Sequence, residues 1–509
     1  MDAQVIIVGA GPVGLMLAGE LRLGGADVTV LERLAAPTNE SRASTLHART
    51  MEAFDQRGLL EFVGTPPNDG MGHFGGVPLD LSGLPTRYPG QWKVPQARVE
   101  ELLAEWAASL GADIRRGHEV CGLTTTADHV NVEVAGPGGR VSMTCGYLVG
   151  CDGEDSTVRR MANFAFPGTD ATRELLRADV GGIEITNRRF ERLANGLAIA
   201  ARRSDGITRI MVHEFGRPVG RRAAEPEFAE VAGVWAQVTG EDIGGGTPIW
   251  VNSFGDASRQ AGQYRMGRVI LAGDAAHLQM PVGGQALNLG LQDAMNLGWK
   301  LAAQVTDRAP AGLLDTYHTE RHPVGQRVLA NIRAQTMLLL GGAEVEAARA
   351  IIGELLGYPV ARTHLGSMIT GLDIRYEPRD QPLAGARMPH VDVRTVSGPS
   401  STTALLRAAH GVLLDLSADQ ERQAWLESAT AAWADRVDLV SAAAAPGTPL
   451  EGVDTVLLRP DGYVAWIGSR EADPRPTLDK WFGGTATASV TGAPARAGHR
   501  SASSKQGTR

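Results

Sequence analysis

Cysteine is scarce. Cys121, Cys145 and Cys151 are the whole complement in 509 residues. None forms a Cys-x-x-Cys pair, which argues against a zinc site or a redox dithiol. So few thiols fit a reducing cytoplasm, and the three read as small buried hydrophobes. No stretch reaches the roughly 18 uncharged apolar residues of a membrane span, so no membrane partner is expected. The N-terminus runs straight into a strand pattern without a basic stretch or a separate apolar segment. It does not read as a signal peptide. Strong charge of one sign is also missing. The net charge of −8 is mild and argues against a nucleic-acid partner. There are no internal repeats. A chain of this length with 43% hydrophobic residues is expected to form two or three domains with ample core.

Glycine, in contrast, is plentiful, with 63 residues. Three of them, Gly9, Gly11 and Gly14, follow Val5 to Val8, an apolar run that reads as a strand buried on both faces. Gly9 permits a tight turn, Gly11 lets a pyrophosphate approach the backbone, and Gly14 lets the next helix pack close. Pro12 and Val13 stand in the first turn of that helix, whose free N–H groups and positive dipole end suit a phosphate. Leu15, Ala18 and Leu21 share one face, and Gly24-Gly25 stops the helix. Val28 to Leu31 then leads to Glu32 and Arg33. A carboxylate at that point, roughly 20 residues on, accepts from ribose hydroxyls and repels a 2′-phosphate, which makes NADP a poor guess for this site. The bland alternative is an ordinary tight turn in a glycine-rich chain. Strand, glycines, helix, strand and acid in register favour a dinucleotide cradle.

Further along, Val99, Leu102, Leu103, Trp106 and Leu110 keep helical spacing. Glu119 to Leu123 and Val130 to Val134 look like strands of a smaller layer. From about 166 to 264 the alternation of strand and helix fades. Leu197 to Ala201 and Ile207 to Val212 flank Ser204-Asp205-Gly206, a hairpin signature. This middle region reads as an antiparallel sheet, a wall for a substrate chamber. Val269 to Ala272 is another apolar strand, ending in Gly273-Asp274, and a long helix follows to about Val305. At its carboxyl end the strand delivers Asp274, where ligands sit in open α/β sheets and where a carboxylate can accept from a polyol chain such as the ribityl of FAD. The loop Pro281, Val282, Gly283, Gly284, Gln285, Ala286, Leu287 and Asn288 opens the helix, whose N–H groups would stabilise a flavin anion. A plain strand-turn-helix with a capped start is the competing reading.

These segments resemble a family, the class A flavoprotein aromatic monooxygenases of the para-hydroxybenzoate hydroxylase fold. The likeness rests on Gly9 to Gly14 with Glu32, on Asp152-Gly153, and on Gly273-Asp274. Glu40-Ser41-Arg42, Gly72 to Gly76, Val94-Pro95-Gln96, Gln292 to Lys300 and Tyr317 to His322 draw it toward the bacterial aromatic polyketide hydroxylases of angucycline and anthracycline type. One departure is Ala286: the family commonly has Gly-Gly-Gln-Gly, and here the fourth position is alanine. The resemblance implies an α/β fold. A Rossmann-like FAD-binding domain (1–75, 96–168 and 265–385) carries an inserted antiparallel substrate-binding sheet domain (76–95 and 169–264). A thioredoxin-like domain without Cys-x-x-Cys (386–487) and a disordered tail (488–509) follow.

The resemblance also implies residue roles. Glu32 binds the adenosine ribose, Arg42 and Gln96 contact the phosphate and ribityl region, Asp274 holds the ribityl chain, and loop 281–288 cradles the ring. Asp152 and Arg159 line the groove over which the nicotinamide donor passes. The implied cofactors are FAD, NADPH or NADH as reductant, and O₂, with oxygen transferred through a C4a-hydroperoxyflavin to a polycyclic aromatic small molecule. There is no second glycine fingerprint for the nicotinamide, so its binding would be transient. No catalytic side chain and no metal ligand are assigned, because the flavin carries the chemistry. His73, His277 and Arg49 lie near cofactor motifs without a specific role. Phe74, Trp92, Trp250 and Pro281 are candidates for the substrate pocket, with core packing the competing reading for the three aromatics. A homodimer is a possible assembly. The rivals are Baeyer–Villiger oxygenation of a polyketide, rifamycin-type antibiotic inactivation, a flavin oxidoreductase that inserts no oxygen, a flavin halogenase (whose Trp-x-Trp-x-Ile-Pro signature is absent), and a degenerate flavin-binding protein.

Overall fold

Five strands run parallel through the first layer. In a computed structural model, which describes residues 1–38, 43–203, 205–219, 222, 224–377 and 379–484, Ala3–Val8 pairs with Val28–Glu32 on one side and Gly139–Gly150 on the other. Asp113–Arg116 and Val269–Leu271 extend the set outward. Val5, Ile6 and Ile7 are fully buried, as a two-faced parallel strand requires. The helix Pro12–Leu23 covers the sheet and packs on Gln96–Ser109 and Gln285–Val305.

Glu119–Thr125 and Val130–Gly136 do not form a separate layer, contrary to the sequence pattern. They join the same hydrogen-bonded sheet. The physical reason is length. Gly139–Gly150 spans 12 residues, so it pairs antiparallel with Val130–Gly136 along its first part and parallel with Ala3–Val8 along its last.

The middle region is a five-stranded antiparallel sheet in the order Arg188–Leu193, Gly196–Arg202, Thr208–Glu214, Glu174–Gly181, Thr247–Gly255. Alternation of side chains gives it two working faces. Leu176, Ala178, Ala200 and Ile210 pack on Val231, Val234 and Trp235 of the helix Phe228–Thr239. On the other face, Leu175, Leu197, Met211 and Phe254 turn toward Met280, Val282 and Ile332. Ser204 of the expected hairpin turn lies outside the described residues; Gly206 takes a φ of +81°. The segment 76–95 contributes no strand to this sheet. Val77–Asp80 pairs with Met71–Phe74, and Gln91–Lys93 pairs with Thr45–His47 and Asn68–Asp69.

The C-terminal region builds a six-stranded sheet around a parallel pair, Gly411–Asp415 with Val437–Ala444, flanked by antiparallel strands. It seats on the first layer through Trp299, which packs with Trp433, Trp481 and Phe482. A buried ionic cluster crosses the same boundary. Arg459 binds Glu320 at 2.5 and 2.9 Å and Asp461 at 3.0 Å, while Lys300 reaches Glu320 at 2.7 Å. Burial pushes the Lys300 ammonium down to about 8. Burial alone would raise the Glu320 carboxyl, but Arg459 and Lys300 hold it far below the usual range. The tail 488–509 and Arg42 lie outside the described residues. Among the described residues no helix is long and apolar enough to cross a membrane.

Candidate functional site

The carboxyl ends of Ala3–Val8 and Val269–Leu271 each lead into a glycine-containing loop and then a helix start. At the first, a Cβ on Gly14 would stand 2.0 Å from the Gly9 carbonyl oxygen, so glycine there is a packing requirement. Gly9 has φ +104° and no room for a Cβ beside Cys151. Gly11 differs: nothing in the protein lies within 4 Å of its would-be Cβ. The helix begins with Pro12, and Val13 is half-buried behind it. Its start has no side-chain cap and no acidic residue in the first turn. The face toward Gly11 thus offers unpaired N–H groups and the positive end of a dipole, a fit to a pyrophosphate.

Glu32 spans this turn: its carboxylate accepts from Ala10 N at 2.9 Å and Leu34 N at 2.8 Å. Arg33 is exposed beside it. Gln96 accepts from Ala43 N at 3.2 Å and donates to Glu100 at 2.8 Å, which ties the segment after residue 42 to the helix it begins.

Asp152 is a capping carboxylate. It accepts from Ser156 Oγ at 2.5 Å, Thr157 N at 2.7 Å and Val158 N at 3.1 Å. Arg159 is buried, donates to Ala275 O at 2.9 Å and Glu154 O at 2.6 Å, and lies over the Phe166 ring at 3.8 Å. Through Ala275 it fastens the Asp152 motif to the turn that carries Asp274.

That turn, Gly273–Ala275, presents Asp274 at the surface between two buried neighbours. Beneath it lies a network to which sequence reasoning assigned no role. Asp293 accepts from Gly273 N at 3.3 Å, from His277 Nε2 at 2.7 Å and from Arg321 Nε at 2.7 Å. All three side chains are buried. Burial would raise the Asp293 carboxyl, yet Arg321 and His277 outweigh it and hold the group below the usual range. Asp293 and Arg321 stand in the Gln292 and Tyr317 motifs, but nothing in linear spacing joins them to Gly273.

The 281–288 loop then makes the second helix start. Pro281 is exposed, Val282 is buried, and Gly283 and Gly284 have φ of +68° and +70°. Gln285–Val305 starts without a side-chain cap and without an acid in its first turn. Asn288 locks the loop in place. It accepts from His47 N at 2.8 Å and Thr50 Oγ1 at 2.6 Å, and donates to Thr45 O at 3.0 Å and Gly284 O at 2.7 Å. Ala286 and Leu287 are half-buried on the first turn. Two uncapped helix starts and two acids, Glu32 and Asp274, therefore stand at one edge of one sheet. This donor set fits a flavin dinucleotide.

The candidate pocket residues are dispersed. Phe74 is buried among Leu79, Leu338 and Ile369. Trp92 donates to Tyr88 O at 3.2 Å and packs against the main core. Trp250 is half-buried on the middle sheet, with the Arg177 and Arg209 guanidiniums 4.5 and 5.7 Å from its ring. The strand Met71–Phe74 lies against the Val282–Gly284 turn. His73 contacts the Phe190 ring at 4.0 Å. Burial pushes both His73 and the nearby His47 down to about 4, so both imidazoles are neutral at neutral pH. A cavity of 520 Å³ borders Gln285 and Asn288 but is walled by Leu289, Val324, Ile369 and Trp481, not by the middle sheet.

Comparison with known proteins agrees with this geometry. Residues 2–332 match the FAD binding domain family and residues 381–485 the aromatic-ring hydroxylase C-terminal family. The chain is 43% identical to the 12-dehydrotetracycline 5-monooxygenase/anhydrotetracycline 6-monooxygenase of Streptomyces rimosus subsp. rimosus, over 95% of this chain and 99% of that one. CabE, an aromatic hydroxylase from angucycline biosynthesis, shares 52% identity at a TM-score of 0.91, covering 95% of this chain and all of CabE (100%). BexE, studied for oxidation during BE-7585A biosynthesis, shares 49% at 0.90, with 95% and 100% covered. This chain belongs to the FAD-dependent aromatic-ring hydroxylases, a family of flavoprotein monooxygenases.

Proposed function

We propose that the protein hydroxylates a polycyclic aromatic polyketide during antibiotic biosynthesis, with NADPH or NADH as electron donor and O₂ as co-substrate. The observation that carries this reading is the pairing of two uncapped helix starts at one sheet edge, with an apolar face of the antiparallel sheet packed on Met280 and Val282 beside the second. The names of the tetracycline and angucycline relatives supply the substrate class.

FAD, when bound, supplies hydride acceptance and oxygen activation, which no side chain can provide. The chain's own work is positional. Gly9, Gly11, Pro12 and Gly14 with Glu32 would hold the dinucleotide, Gln96 and the Arg42 side chain implied by the family resemblance would meet its phosphate and ribityl region, and Asp274 would accept from its polyol chain. Residues 281–288 direct N–H groups to the ring and stabilise negative charge there. Met280, Val282 and the middle sheet keep water from the reacting face. Asp152 and Arg159 shape the approach of the donor, Arg159 by holding Ala275 rather than by presenting an open guanidinium. Of the pocket candidates, Phe74 is buried while Trp92, Trp250 and Pro281 keep some surface; we assign Trp250, on the middle sheet, and Pro281, in the glycine loop, to the chamber ahead of Phe74 and of Trp92, which packs on the main core.

The domains we propose are FAD-binding (1–75, 96–168 and 265–385), substrate-binding (76–95 and 169–264, although the strands of 76–95 pair with 45–74 and not with the middle sheet) and thioredoxin-like (386–487). Six strands around one parallel pair support the last. The third domain has no cysteine and so supplies no dithiol chemistry; we assign it a structural or subunit-pairing role, with a homodimer as the proposed assembly. The test is NADPH oxidation across tetracyclic polyphenols and a rifamycin, with mass analysis under ¹⁸O₂. A tetracycle that gains one labelled oxygen supports the reading. Turnover of the rifamycin alone, or a ketone converted to an ester, would replace it.

A further inference from the structure

Three buried carboxamides form a chain between the Met71–Asp80 hairpin and the start of the Gln285 helix. Gly75 N donates to Gln335 Oε1 at 3.2 Å. Gln335 Nε2 donates to Asn331 Oδ1 at 3.2 Å, and Asn331 Nδ2 donates to Gln285 Oε1 at 3.2 Å. The three side chains are 0%, 5% and 3% exposed, so their polar atoms need partners inside the fold. An amide's oxygen and nitrogen ends are interchangeable in shape, and only the bonding decides between them. Here the decision is forced at one end. A backbone N–H can only donate, so Gly75 requires the oxygen of Gln335, and each later amide must follow in the same sense. The last group in the chain is Gln285 Nε2, a buried donor with no partner among the described residues. It stands 3.5 Å from where a Cβ on Gly283 would sit, inside the glycine loop. An unmet buried donor is costly, so the site calls for an acceptor.

We infer that Gln285 Nε2 donates to an oxygen or nitrogen acceptor on the bound flavin, and that Asn331 and Gln335 are positioning residues that keep its nitrogen, not its oxygen, facing the loop. The hairpin that lies against this loop thereby sets the polarity of a cofactor contact. The inference rests on the assignment of FAD to the 281–288 loop.

The sense of the chain can be reversed without removing it. Gln335→Glu still accepts from Gly75 but cannot donate to Asn331. Asn331 then turns its nitrogen to the new carboxylate and its oxygen to Gln285, which exposes Gln285 Oε1 to the loop. The experiment is FAD titration of deflavinated protein by fluorescence quenching, with the reduction potential of the bound flavin, for wild type, Gln335→Glu, Gln285→Glu and Gln335→Met. Circular dichroism and thermal melting of the apoproteins check folding. The expected result is about tenfold weaker FAD binding and a lowered potential for both Glu variants, with a smaller loss for Gln335→Met, which removes the partner without presenting an acceptor. The inference is overturned if the Glu variants melt like wild type and bind FAD with unchanged affinity and potential. A Glu variant that fails to fold leaves Gln335→Met as the deciding protein, where unchanged affinity and potential also overturn it. Failure of the wild type itself to bind FAD is a separate outcome and removes the cofactor assignment instead.

Discussion

The two ends of the Gln285–Val305 helix are built on opposite principles. At its far end, Asn296 and Lys300 enter a cluster with Glu320, Arg459 and Asp461 in which every charge has partners. At its start the helix has no cap and no acid, and one buried amide donor is left unpaired among the described residues. The first arrangement joins domains; the second leaves donors for something the chain does not contain. Paired charges hold position, whereas an open buried amide beside a glycine loop and an uncapped helix start suits a ligand's acceptor.

The largest effect should come from breaking the saturated end. Arg459→Met leaves Glu320 and Asp461 buried without their shared partner, and a loss of about 3–5 kcal/mol in chemical denaturation is expected. A loss under about 1 kcal/mol, the range of an exposed pair, would show that the cluster does not carry the domain junction.

A pair of glycine substitutions sharpens the contrast at the open end. Gly14→Ala drives a Cβ into the Gly9 carbonyl and should cost about 1–3 kcal/mol of apoprotein stability. Gly11→Val has free space within the protein and should leave apoprotein melting unchanged while abolishing FAD uptake. If both substitutions lower melting equally, Gly11 is a structural glycine and not a docking surface.

Asp274→Ala tests the polyol contact. Asp274 is exposed at the turn, and FAD affinity should fall about tenfold, the range of one charge-assisted hydrogen bond. Equal affinity for wild type and variant in equilibrium dialysis would rule out the contact.

The smallest effect at neutral pH belongs to His47 and His73. Both have folded values near 4, below the ordinary 6.5, because burial disfavours the imidazolium. Between those values the unfolded chain binds more protons than the folded one. Stability is therefore full at and above about 6.5 and is lost as pH falls toward 4. The variants His47→Gln and His73→Gln should each flatten this decline in melting scans from pH 7 to 4.5. A slope identical to wild type in both would place the acid sensitivity elsewhere.

Much of the site was legible in linear order because its parts are local. Strand, turn and helix start lie within a dozen residues at Gly9 to Gly14 and again at Gly273 to Asn288, and local periodicity reports such units directly. The hairpin at Leu197 to Val212 was legible for the same reason. Reading failed where pairing is non-local. The strands Glu119–Thr125 and Val130–Gly136 look like a layer of their own until the length of Gly139–Gly150 joins them to the main sheet. Arg159 sits beside Asp152 in sequence, but the carbonyl it holds is that of Ala275. Asp293 is joined to Gly273, 20 residues back, and to Arg321, 28 residues on, and Gln335 is joined to Gly75, 260 residues back, so these pairings carry no local signal.

The sequence by itself determined the cofactor class, since a glycine turn before a helix exposes N–H groups whatever the rest of the chain does. It determined the absence of dithiol chemistry, since three unspaced cysteines cannot supply it. Only the tertiary structure decided which side chains hold those turns in place and which buried donor is left open. Hydrogen-bond saturation is a property of neighbours in space, and a linear chain has none until it folds.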